Sequence, residues 1–327
     1  MKTIRIILLT ILCLSVGFTQ ASALKSVTSN SSFTQQNIKK STLEVIKVLE
    51  RGYIFPEKSK IIAHKFRYKL AFNQFNQVDE LGQFINELAV FIREVSGDSY
   101  LDIFESNSQL VISQTQVSGP HKNVEGFGFE KVEILSGNIG YLKLNHFYEN
   151  SQAELQAARS FNYLSGADAI IIDLRDVEGD SILLAQYIMS FFVEENSILL
   201  DVLFDKQKKR KILKSVTTVG YEHFKHDYPV YILTSAFTAG TGELFSYTLK
   251  HLNKAVIVGK PTMGVALISK KQKVNEFITI NMPIAIPIHP LTQTNWEQEG
   301  VVPDFNVKPG LSFELAYKLA KENLGIF

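Results

Sequence analysis

The chain has 327 residues, with 34 Lys and Arg against 33 Asp and Glu and a formal net charge of +1. A balance this even excludes the basic footprint of a nucleic-acid binder, and a single cysteine excludes a disulfide framework. A hydrophobic content of 45% is ample for a packed core, and the length fits one large domain plus a small one.

Lys2 and Arg5 precede an apolar run from Ile6 to Phe18, and Ala21-Ser22-Ala23 follows it. That order predicts a secretory signal peptide over 1–23. The run is shorter than the ~20 apolar residues that cross a bilayer, so a retained span is not expected. The only cysteine, Cys13, lies inside it behind Leu12, where a lipidation site needs a small residue, so no cysteine metal site is expected in the exported chain. Residues 24–34 are Ser/Thr/Asn/Gln-rich without periodicity and read as a mobile leader.

A small helical domain is expected over 35–106. Leu43, Ile46 and Leu49 form one stripe, and Ile62, Phe66 and Leu70 a second behind Pro56. Leu81, Ile85, Leu88, Ile92 and Val95 give a third, ending near Gly97. The polar, turn-rich stretch 107–126 is a linker. Over 127–310, β-rich runs at Lys131–Leu135, Ile139–Leu144, Ala169–Asp173, Ile198–Phe204, Val230–Leu233, Ala255–Val258 and Phe277–Ile280 alternate with helical segments. Those helices are expected near Gln152–Leu164, Ser181–Phe192 and Gly242–Leu252, and the alternation predicts an α/β layer fold. Ala169 to Ile172 is apolar on both faces, as in a strand buried between layers. The dense positive run Lys206–Arg210 reads as a solvated loop or hairpin tip between strands. A helix over Phe313–Leu324, within 311–327, closes the chain.

Two strand-to-helix junctions carry the candidate chemistry. One is Asp173-Leu174-Arg175-Asp176-Val177-Glu178-Gly179-Asp180-Ser181; the other is Thr234-Ser235-Ala236-Phe237-Thr238-Ala239-Gly240-Thr241-Gly242-Glu243. Ligand sites in α/β sheets gather at such junctions, where a helix N-terminus offers free N–H groups to an anion. Ser235, Thr238 and Thr241 are read as turn and capping hydroxyls, with Thr241 able to cap the helix at Gly242. His223 and His226 lack the partners of a zinc site. His289, ahead of Pro290, reads as a surface turn, and Trp296 as a packing anchor.

These junctions, with Arg51-Gly52-Tyr53-Ile54-Phe55-Pro56, Gly126–Leu135, Gly137–Leu142, Val258–Gly264 and Asn295–Asp304, resemble the C-terminal-processing (tail-specific) serine peptidases. Among them the chain is most similar to the branch of interphotoreceptor retinoid-binding protein and the tricorn core. The resemblance implies a crotonase-like ββα superhelix core behind the helical domain, without the PDZ module that many members carry. It also implies where catalytic groups belong, and this chain departs there. The nucleophilic serine position, three residues before Glu243, is Gly240. The histidine base position at the end of the helical domain is Tyr100, and the lysine position of the other branch is Val265. Glu297 falls on the orienting carboxylate. Gly179 and Asp180 stand at the Gly-Gly turn of the oxyanion hole, with Thr241 beside them in the cleft.

Acyl transfer by this route needs an oxygen nucleophile and a neighbouring base. Glycine offers no side-chain atom, and a tyrosine with pKa near 10 is a poor base. The expectation is therefore an exported, catalytically degenerate homologue that binds peptide or protein C-termini or an apolar small ligand, with no cofactor and no nucleic acid. The alternative is an active serine peptidase with a relocated nucleophile. A third reading is an interaction scaffold that holds a partner through its helices.

Overall fold

The computed structural model describes residues 33–106, 126–179, 181–204, 209–218, 224 and 227–326. The expected signal peptide, most of the expected leader, residues 107–125 of the expected linker, Asp180, Lys206–Lys208, His223 and His226 lie outside the described residues.

Helix α1 (Gln35–Gly52) opens on Thr34, whose hydroxyl accepts the Asn37 N–H while Asn37 accepts the Thr34 N–H. This reciprocal cap satisfies two donors that a helix start otherwise leaves orphaned. Helix α2 (Pro56–Ala71) begins on its proline, where the missing N–H costs nothing. Helix α3 (Leu81–Ser96) ends at Gly97 with φ 58°, the left-handed stop that glycine adopts readily. Their apolar stripes, among them Val45, Leu49, Ile62, Phe66, Leu88 and Ile92, form one buried cluster. That cluster includes Ile103 of strand β1 (Asp102–Glu105) and Ile278, Ile280 and Met282 from farther along the chain.

Next come β2 (Phe129–Leu135), β3 (Ile139–Leu144), β4 (His146–Phe147), α4 (Ser151–Leu164), β5 (Ala169–Asp173) and β6 (Glu178–Gly179). They are followed by α5 (Ile182–Met189), β7 (Ile198–Phe204), β8 (Lys209–Lys214), β9 (Val230–Thr234) and α6 (Thr241–His251). The chain closes with β10 (Val256–Gly259), β11 (Ile268–Lys273), β12 (Ile278–Ile288), β13 (Phe305–Asn306) and α7 (Pro309–Asn323).

One sheet runs β2-β3-β5-β9-β10-β13, parallel at every step except β2–β3. Its central strands are buried on both faces, as parallel sheets require. Ile170 and Ile172 point into a cluster with residues of α4, α5 and α6, whereas Ala169 and Ile171 point into a second one closed by Ala316 and Ala320 of α7. The two-residue side-chain period of β5 thus sends alternate residues to opposite layers. The second sheet, β1-β12-β7-β8 with β11 also on β12, is antiparallel throughout. The result is a mixed α/β fold, as the sequence pattern predicts.

Strands β3, β5 and β7 match their sequence-predicted limits. Strand β12, expected to stop at Ile280, continues to Ile288 through Pro283 and Pro287. Both prolines sit where a missing N–H is tolerated. Pro283 lies at a register shift against β11, and Pro287 lies beyond the end of β11, paired to β7 alone. Lys209 and Arg210, assigned from sequence to a loop or hairpin tip, belong to β8, where Arg210 pairs with Asp201 of β7. His289 requires a larger correction. It does begin a turn, donating its N–H to Thr294 O, yet its ring is fully buried against Tyr247 and His251 rather than at the surface.

Candidate active site

The two junctions predicted from sequence meet edge to edge. Leu174 O accepts the Thr238 hydroxyl at 2.7 Å, Arg175 O accepts the Ser235 hydroxyl, and Val177 O accepts the Ala239 N–H at 3.2 Å. Ser235 Oγ also accepts the Phe237 N–H, and Thr238 Oγ1 the Ser235 N–H, each at 3.0 Å. Both hydroxyls are spent on the turn, as predicted, and neither is free to attack a substrate. The first junction is fixed at its base by Asp173, which accepts two hydrogen bonds from the Arg175 guanidinium and one from Tyr141 Oη at 2.7 Å. Burial pushes the Asp173 carboxyl up, but Arg175 and Tyr141 outweigh it and hold it below its ordinary value.

Gly240 is the N-cap of α6, with φ 54° and ψ −113°. That backbone conformation strains any residue with a side chain. Thr241 is therefore not the cap expected from sequence: it is the first residue of the helix, and among the described residues its hydroxyl has no hydrogen-bond partner. As the first helical residue its N–H has no intrahelical acceptor. The short parallel pair β4–β6 sets Gly179 opposite Phe147. Gly179 has φ 142°, and a Cβ there would meet Phe147 N at 2.5 Å, so only glycine fits. Its carbonyl oxygen faces Gly240, 3.1 Å from where a Cβ would stand. An acceptor thus approaches Gly240 from this side.

Glu243 anchors the turn. It is fully buried and accepts four hydrogen bonds: Gly240 N–H at 3.1 Å, the Thr262 hydroxyl at 2.6 Å, Gly264 N–H at 2.6 Å and Val265 N–H at 2.9 Å. Burial raises its carboxyl above the ordinary value, and those donors oppose the rise. Sequence reasoning used Glu243 only as a landmark. A Glu three residues past a helix cap is an N-terminal signature, but donors from Thr262 to Val265 are visible only once the loops meet.

Tyr100 and Glu297 come together from positions 197 residues apart, with Tyr100 Oη 3.3 Å from Glu297 Oε2 and 3.3 Å from Gly264 O. Glu297 Oε2 also accepts the N–H groups of Ala266 (2.9 Å) and Leu267 (3.3 Å). Burial, together with the Glu297 and Glu243 carboxylates, holds the Tyr100 hydroxyl well above its usual pKa. It stays protonated and donates, the opposite of what a general base does. Asp98 accepts the Tyr100 N–H at 2.9 Å and the Tyr53 hydroxyl at 2.5 Å, holding the segment that presents the ring. Val265 contributes only backbone here: its N–H to Glu243 and its carbonyl to Trp296 Nε1 at 3.2 Å. Trp296 is buried beside Tyr247, the anchor expected of it. The arrangement therefore unites Gly179, Gly240, Thr241, Tyr100 and Glu297 around the start of α6, with a glycine at the centre.

Residues 138–307 match peptidase family S41. A carboxyl-terminal-processing protease of Picosynechococcus sp. is 28% identical over 143 residues, 43% of this chain and 32% of that protein. The chloroplastic carboxyl-terminal-processing peptidase 2 of Arabidopsis thaliana is 26% identical over 172 residues, 52% of this chain and 32% of that protein. The chain thus aligns with about a third of the length of these curated relatives. The photosystem II D1 C-terminal processing protease shares the fold with a TM-score of 0.62 at 15% identity, over 84% of this chain and 94% of that one. A lipoprotein from Streptococcus agalactiae does so with 0.64 at 14% identity, over 88% and 96%. With the junctions, the α6 turn and more than half of the sequence accounted for in one family, this chain belongs to peptidase family S41.

Proposed function

We propose that this protein is an exported S41 homologue that has lost peptidase chemistry and uses its cleft to hold a ligand rather than cut it. The observation that carries this reading is the turn at Gly240. Gly240, on the position the family resemblance gives to the nucleophile, opens α6 without a side-chain oxygen, and Tyr100, on the position it gives to the base, is a hydrogen-bond donor to Glu297. The reading includes the interphotoreceptor retinoid-binding protein and tricorn-core branch, a crotonase-like core from 127 to 310 behind a helical domain, and removal of residues 1–23 on export.

The ligand proposed is a peptide or protein C-terminus, with an apolar small molecule as the other occupant. The Thr241 N–H, without a partner among the described residues and at the positive end of α6, suits a terminal carboxylate. Exposed Phe237 and Met263 beside the turn suit an apolar side chain next to it. A fluorophosphonate probe and an unstructured peptide test the loss of chemistry together. No labelling and no hydrolysis are expected; labelling that coincides with hydrolysis overturns the proposal, and its disappearance in Thr241→Ala would identify a relocated nucleophile. Peptides with free and amidated C-termini, compared by fluorescence anisotropy, test the ligand: tighter binding of the free acid is expected.

A further inference from the structure

The chain is close to neutral, yet residues 35–71 hold nine Lys and Arg against three Glu. That surplus lies on α1 and α2, whose outer faces are tied together by the Arg67–Glu50 ion pair at 2.9 Å. The inner face of α2 buries Ile62, Ala63 and Phe66 in the helical cluster. Its outer face carries a second apolar stripe, with Ile61 51%, Tyr68 51% and Phe72 63% exposed. These residues recur at i, i+7 and i+11, on one line of the helix with Lys65 between them. The Tyr68 and Phe72 rings pack tilted against each other with centroids 4.3 Å apart, and Arg67 and Lys60, the latter paired with Glu57 at 2.9 Å, flank the stripe. Among the described residues, none of Ile61, Tyr68 and Phe72 belongs to a buried cluster.

We propose that the outer face of α2 docks the protein on an anionic membrane surface. Ile61, Tyr68 and Phe72 enter the boundary between headgroups and acyl chains, and the surrounding Lys and Arg meet lipid phosphates. An apolar centre ringed by cations is what that boundary requires, since it offers hydrocarbon below a plane of negative charge. A nucleic-acid duplex offers the phosphates but no hydrocarbon for Ile61. A partner protein would need an acid-rimmed groove to receive a convex helix face. No helix among the described residues is long and apolar enough to cross a membrane, so this is attachment to a surface.

The test places a fluorescent reporter on the stripe of the full chain, Phe72→Trp, with Tyr68→Trp as an independent second reporter. The native Trp296 is buried and contributes a constant background. Vesicles of phosphatidylcholine are compared with vesicles that also contain phosphatidylglycerol, each with and without brominated acyl chains. A blue shift, with quenching by the brominated chains, is expected on the anionic vesicles alone and should weaken as salt is added. Lys60→Gln and Lys65→Gln should each lower the apparent affinity about fivefold. The proposal is overturned if neither reporter responds to anionic vesicles, or if the response ignores both lipid charge and the lysine substitutions. It is equally overturned if the reporters respond to duplex DNA, RNA or an acidic protein but not to lipid.

Discussion

At the scale of single residues, the turn at Gly240 is held by one buried carboxylate, Glu243. Every partner of Glu243 is a donor: three N–H groups and the Thr262 hydroxyl, which itself accepts the Val301 N–H at 2.7 Å. Glu243→Gln would turn an amide NH2 toward donors in a buried place, and should cost about 3 kcal/mol of unfolding free energy in urea titrations. A cost below about 1 kcal/mol would mean that the network relaxes around the amide. Gly240→Ser probes the strained turn itself. Its φ of 54° and the Gly179 oxygen 3.1 Å from the new Cβ should lower stability by about 1 to 3 kcal/mol, whether or not Tyr100→His is added to supply a base. The assignment of Gly240 and Tyr100 to catalytic positions rests on the order of motifs along the chain. The partners that make Tyr100 a donor could not be read there, because Gly264 and Glu297 reach it only through tertiary structure.

At the scale of elements, the alternation of strands and helices was legible because β3, β5 and β7 are apolar enough to announce themselves. The short strands β4, β6 and β13 carry no such signal; they exist only because a partner lies beside them. Helix α7, expected from Phe313, begins at Pro309, where proline is preorganised for a first turn. The junction after β5 shows how elements are fastened to one another. Arg175 spans Asp173 and, through Nη1, the Pro309 carbonyl at 2.7 Å, so one side chain joins the end of β5 to the start of α7. Arg175→Met should leave the fully buried Asp173 carboxylate without its cation and destabilise the fold by about 3 to 5 kcal/mol. The double variant Asp173→Asn, Arg175→Met should recover much of that loss. If the double variant is no better than the single one, the carbonyl contacts rather than the charge pair carry the junction.

At the scale of the whole molecule, the segment bearing Glu297 is anchored to α6 through aromatic rings, and that anchor titrates. Tyr247 and His251 of α6 pack 4.3 Å apart, and His289, at the head of the turn leading to Trp296 and Glu297, lies 5.8 Å and 5.5 Å from them. Burial, reinforced by the neighbouring His251 and only partly opposed by the Thr248 backbone, lowers His289 to about 4. Burial and Lys250 lower His251 as well. In the unfolded chain an imidazole titrates near 6.5. Between that value and 4 the unfolded state binds a proton that the folded state refuses, so unfolding is favoured as pH falls across this window. The contribution of His289 is fully present above pH 6.5 and has declined by about 3 kcal/mol near pH 4. Asp173, held below its ordinary value, loses its stabilising ionisation only at lower pH, which keeps the two effects apart. Urea midpoints measured from pH 7 to pH 4.5 should fall for the native chain and fall less for His289→Phe, which keeps the ring volume without the charge. Parallel decline in the two proteins would assign the acid sensitivity to other groups and leave the turn beneath Glu297 indifferent to pH.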